Sequence, residues 1–251
     1  MNNVNKTSRI LGVAFVLQFV TSIGSAMLLR QGWFVSGDIN ASMIKIASNA
    51  ALLRMNIIVD MLTALGIIFL GSMLFITLRK QNEKMALTAL GFYILEAALL
   101  ATSRLATFAL LRFSQEFAAT GQTAYLPLLG QIAFDAMEFV GSSLHMLAFC
   151  LGGVLFYYLL DKARIVPRVL SLWGLIAAIP FLIGTPLAIM GYEIPKAVYL
   201  PYIPFELVIG IWILIKGIKA EITIDASAEP ERGVQAALYR AESSQIAGGK
   251  A

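Results

Sequence analysis

Apolar residues in this chain come in long runs separated by short polar stretches. The runs cover about 10–29, 55–78, 85–111, 131–160, 169–190 and 199–218. A helix rises about 1.5 Å per residue and a bilayer's hydrocarbon core is about 30 Å thick, so roughly 20 apolar residues cross it. The pattern predicts an all-α fold, a bundle of six transmembrane helices over residues 1–219. Between the first two runs, Gly37-Asp38 reads as a turn followed by a helix cap. Ile39, Met43, Ile46, Ala50 and Leu53 then recur at spacings of four and three, which predicts a short amphipathic helix in the first outer loop. Arg112–Tyr125 reads as a polar hinge, with Pro127 suited to the first turn of the next helix. Pro180 and Pro186 predict a kink in the fifth span. From Ala220 the pattern stops, and residues 220–251, rich in Ala, Ser, Glu and Gly, are expected to be a mostly disordered tail.

The first run also has small residues at Ser22–Ala26, as a cleaved signal peptide would. Its span-like length and its polar stripe, Gln18, Thr21, Ser22 and Ser25, favour a retained helix.

Polar residues inside the runs change the picture most. At about 100° per residue, Asp135, Glu138, Ser142 and His145 share roughly one quarter of a helix. A charge at the bilayer centre costs about 2.5–3.5 kcal/mol on insertion scales, so such a stripe needs a cause. The second span aligns Asn56, Asp60 and Thr63. The third carries Glu96, Ser103 and Thr107 with Arg104 at the flank, and the sixth carries Glu206. The fifth has no intramembrane charge and is expected to pack outside, facing lipid. Counting 1.5 Å per residue, Asp60, Arg104, Glu138 and Glu206 fall roughly 9–12 Å below the outer surface, and Glu96 and His145 roughly 20–24 Å. Arg54 and Asp135 fall at the outer rim. The expectation is an acidic cavity open to the outer face, with a hydrocarbon floor on the other side. Carboxylates without partners at that depth take up protons, bind a cation or stay wet.

Composition agrees. Of 251 residues, 59% are hydrophobic and 14% charged, against about 45–50% and 25% in soluble domains. The net charge of +4 does not form a patch, since the basic residues sit between the runs, and no nucleic-acid partner is predicted. Lys6, Arg9, Arg79, Lys80, Lys84, Lys162, Arg164, Arg168, Lys216 and Lys219 fall on one side. By the positive-inside rule that side is cytoplasmic, with both termini there, in the plasma membrane. Trp33, Tyr125, Tyr192, Tyr199 and Tyr202 are expected in an outer aromatic belt.

The chemistry is less specific. One histidine, one cysteine (Cys150) and no HExxH motif argue against a zinc enzyme. Glu96, Glu138 and His145 offer donors for a hard divalent ion, at a spacing that is not diagnostic. Ser142 or Ser143 beside His145 lacks a nucleophile-elbow motif. There is no P-loop and no dinucleotide fingerprint, and no cofactor is predicted. The candidate binding or proton-linked residues are therefore Asp60, Glu96, Arg104, Glu138, His145 and Glu206, serving a small solute, a cation or protons in a lipid-embedded protein. A non-catalytic scaffold or sensor is the alternative. A lipid-directed enzyme using Glu138 and His145 is a further one.

The chain resembles a bacterial membrane family, domain of unknown function 4386. The resemblance rests on Thr7–Gly12 (TSRILG), Gly37-Asp38, Leu53-Arg54 with Asp60, and the long fourth helix with His145. It continues through Pro167-Arg168 and Pro204–Glu206 ahead of Trp212, covering roughly Thr7–Gly217. It implies a six-helix membrane protein and no particular activity.

Overall fold

The computed structural model describes residues 3–25, 32–120 and 125–218. The chain divides into two compact units, Met1–Lys219 and Ala220–Ala251. The second, and with it the expected tail, lies outside the described residues. Within the first unit the elements are α1 (Asn3–Ile23), α2 (Ile39–Ser48), α3 (Ala50–Leu78), α4 (Glu83–Thr120) and α5 (Leu126–Glu138). A π-helical segment (Phe139–Leu144) leads into α6 (His145–Ala163), then come α7 (Arg168–Ile189), a 3₁₀ turn (Lys196–Tyr199) and α8 (Tyr202–Lys216). Among the described residues there is no strand.

Five helical stretches are long and apolar enough to cross a membrane: Ala50–Leu78, Glu83–Thr120, Leu126–Ala163, Arg168–Ile189 and Ala197–Lys216. Their outer faces are greasy. Ile58, Leu65, Leu105, Ile176 and Ile215 are each at least 60% exposed, an arrangement that water penalises and lipid does not. The chain is a membrane-spanning protein. The apolar part of α1, Ser8–Ile23, falls short of a full span, and residues 26–31 of the first expected run lie outside the described residues.

Two boundaries differ from the sequence pattern. The expected hinge at Arg112–Tyr125 is helical as far as Thr120, so α4 runs 38 residues. The reason is that the buried face continues through it: Leu110, Leu111, Ser114 and Phe117 recur at helical spacing. Leu110, Leu111 and Phe117 pack with Trp33, Met43, Ile46 and Leu53 in one cluster. The expected fourth helix is also not one α-helix. Its six residues FVGSSL are π-helical, which changes the phase of everything beyond them. By contrast α7 runs unbroken through Pro180 and Pro186.

The short helix α2 is capped by Asp38, whose carboxylate accepts the Ala41 N–H at 2.9 Å. It buries Ser42, Met43 and Ile46 against α4 and α5. Elsewhere α3 packs on α4, α4 on α6, α6 on α7, and α1 on both α3 and α8. The contact between α1 and α8 is close because both helices present glycine there. A Cβ on Gly12 would sit 2.6 Å from the backbone N of Leu214, and one on Gly210 2.9 Å from Phe15 Cβ. The same pair of helices is latched at one end, where Ser8 Oγ accepts the Ile218 N–H at 2.5 Å.

Candidate functional site

A cavity of about 330 Å³ lies among α1, α3, α4, α8 and the α5–α6 stretch. Asp60, Glu96, Arg104, Glu138, His145 and Glu206 all stand on its wall. Arg54 and Asp135 do not. Both are exposed, and Asp135 accepts a hydrogen bond from Gln131, one turn back on its own helix, at 2.8 Å. The reason is the helical wheel. Ala133 and Met137 are buried, and a residue two positions from each points the opposite way. The polar stripe on this stretch therefore begins at Glu138 rather than Asp135.

Near Ser25 the wall is an ordered polar network. Asn56 Nδ2 donates to Ser25 Oγ at 2.8 Å, and Ser25 Oγ donates to Asp60 Oδ1. The other carboxylate oxygen of Asp60 is ion-paired with Arg104 Nη1. Arg104 also donates to its neighbour Ser103 from Nε at 3.0 Å and from Nη2 at 2.7 Å. Ser25, Asn56 and Asp60 are buried, while Arg104 is half-buried. The guanidinium fits because residue 141, in the π-helical segment, is glycine. A Cβ there would lie 2.7 Å from Arg104 Nη2 and 2.7 Å from Ser103 Oγ.

A second network involves residues that the hydrophobic pattern did not single out. Tyr202 donates its hydroxyl to Glu206 Oε1 at 2.9 Å, one turn on along α8. The Tyr202 and Tyr157 hydroxyls are themselves 2.5 Å apart. Tyr157 and Tyr202 are 0% and 6% exposed, so Tyr202 is not part of an interfacial belt. Trp33 is likewise 1% exposed and faces the cavity, whereas Tyr125 and Tyr192 are exposed. The i, i+4 spacing of Tyr202 and Glu206 was a legible signal; Tyr157, 45 residues away, was not. These hydroxyls extend the polar network from Glu206 through Tyr202 to Tyr157, within the apolar run 131–160.

Aromatic rings line the cavity beside this network. Phe149, Phe181 and Tyr202 meet edge to face, with centroids 6.3, 5.1 and 5.6 Å apart. Phe181 comes from α7, so the helix expected to face only lipid contributes a wall residue. Its apolar character hid that role.

Four buried side-chain polar atoms among the described residues have no hydrogen-bond partner in the protein: Gln18 Oε1, Trp33 Nε1, Glu96 Oε2 and His145 Nδ1. All four residues line this one cavity. A buried polar atom left unpaired costs about 1–3 kcal/mol, and all four such costs fall on the lining of this one cavity. Glu96, Glu138 and His145 do not come together as a metal-ligand set: among the described residues, no three of His, Cys, Asp and Glu form one. Cys150 is buried in the apolar core.

No curated protein and no solved structure matches the chain. A family model does, over residues 10–217, which is most of the chain. A membrane-spanning helical protein with a polar interior thus belongs to the family described as Domain of unknown function (DUF4386).

Proposed function

We propose that this protein is a six-span membrane protein whose interior cavity binds a small solute, in a binding or transport role. Counting the apolar run 10–29 of the sequence as the first span gives six, which puts both termini on one side. The distribution of Lys and Arg supports the cytoplasm as that side, and with it a cavity facing outward from the plasma membrane. The observation that carries the solute reading is the set of four unpartnered buried polar atoms on residues that line one cavity. A scaffold with a merely packed interior gains nothing from them, because each costs stability unless something in the cavity completes it. A volume of about 330 Å³ lies at the small end of ligand pockets, which run from about 300 to 1,000 Å³.

The test is thermal unfolding of the purified protein in detergent against small neutral, anionic and cationic solutes. A ligand at 100 times its Kd should stabilise by about 2.7 kcal/mol, and the shift should saturate. If no class of solute gives a saturable shift, the solute reading fails.

A further inference from the structure

We infer that the solute is a small amphiphile, with a polar group set against the network of α3 and α4 and one short hydrocarbon chain lying on Phe149, Phe181 and Tyr202. This rests on the solute-binding reading above and holds for a polar group of any charge.

The cavity has two unlike walls. One carries the hydrogen-bonded chain of Ser25, Asn56, Asp60 and Arg104, which comes from the stretch just after α1 and from α3 and α4. The other carries Phe149 of α6, Phe181 of α7 and Tyr202 of α8, three rings in mutual edge-to-face contact. All of these residues line the cavity. Neither α7 nor α8 packs against α3 or α4, so the two walls stand on different sides of the same space. The ring wall is not purely apolar. Glu206 also stands on it, with its Oε1 accepting from the Tyr202 hydroxyl at 2.9 Å.

Each wall disfavours a different solute. Hydrocarbon laid against the network would shut its polar groups away from water, which is unfavourable. A wholly polar solute would give up the apolar area of the rings, which is the larger part of what small-molecule pockets use. A bare metal ion would need several converging ligands, and among the described residues no three of His, Cys, Asp and Glu form such a set. A molecule with one polar end and one apolar end suits both walls. Size limits the chain, because a cavity of about 330 Å³ is at the small end of ligand pockets.

The probes are three homologous series, n-alkan-1-ols, n-alkanoates and n-alkylammonium ions, each from ethyl to decyl. They are titrated against the purified full-length protein in detergent by thermal unfolding, with the free concentration fixed by equilibrium dialysis. In at least one series, affinity should rise about fourfold for each added CH₂ and then fall once the chain outgrows the cavity. Uptake into micelles rises with chain length and has no such maximum. Phe181→Leu and Ile203→Ala, which enlarge the ring side, should each move the maximum to a longer chain. Ile176→Val, on the exposed outer face of α7, should leave it in place. A flat response along every series, or a rise without a maximum, overturns the amphiphile assignment and leaves the solute reading standing; the unaltered protein decides this without any variant. A maximum that neither ring-side variant moves overturns the placement of the chain on the rings. Silence from all three series overturns the amphiphile assignment; silence also from the broader solute panel removes the solute reading beneath it.

Discussion

Arg104 and Asp60 lie 44 residues apart in the chain and on different helices, yet they close an ion pair on the wall of one cavity. Ser25 from a third helical stretch occupies the second oxygen of Asp60. These two contacts tie the stretch just after α1 to α3 and α4, and Gly141 leaves the room that the guanidinium needs.

Removing one member should therefore cost more than removing both. An uncompensated charge in a sheltered site costs about 3–5 kcal/mol, whereas deleting the whole pair is often close to neutral. Asp60→Asn and Arg104→Gln should each lower stability, and the double variant should recover much of the loss. Reversible unfolding in mixed micelles measures the coupling. Single-variant losses that simply add, within about 0.5 kcal/mol, would show that the pair is not a unit.

The two tyrosines near Glu206 are not equivalent. Tyr157→Phe removes one hydroxyl and leaves Tyr202 still donating to Glu206, a loss of about 0.5–1.5 kcal/mol. Tyr202→Phe removes the partner of both Glu206 and Tyr157, which raises the cost to about 1–3 kcal/mol. Unfolding of the two variants side by side should place Tyr202→Phe below Tyr157→Phe. The reverse order would mean that Glu206 does not depend on Tyr202.

Cysteine labelling addresses the arrangement of spans. Cys150 is buried and should stay silent. Lys162, in the last turn of α6 ahead of α7, and Tyr192, just after α7, are both exposed. A membrane-impermeant maleimide should label Tyr192→Cys in intact cells and Lys162→Cys only after permeabilisation. Labelling of both residues without permeabilisation, or of Lys162→Cys alone, is incompatible with the expected orientation.

Much of this protein was readable along the chain because a bilayer imposes one-dimensional rules. Every backbone group must be bonded within the helix, and outward side chains must be apolar. Runs of the right length thus declare themselves, and polar residues within them stand out as exceptions. That is why Asp60, Glu96, Arg104, Glu138, His145 and Glu206 stand out in the sequence itself. The same logic reached α2 and its Asp38 cap, since both are local.

Only the tertiary structure decided which of those residues share a wall, and with whom. Asp135 fits the stripe by periodicity, but the burial of Ala133 and Met137 turns it outward. The π-helical turn at 139–144, the guanidinium lying against Gly141, and the pairing of Tyr157 with Tyr202 depend on what a neighbouring helix brings. Phe181 and Trp33 look like ordinary apolar or interfacial residues until the cavity between helices exists. Sequence periodicity encodes which face of a helix is buried. What that face touches is set by packing between segments far apart in the chain, and no single helix carries that information.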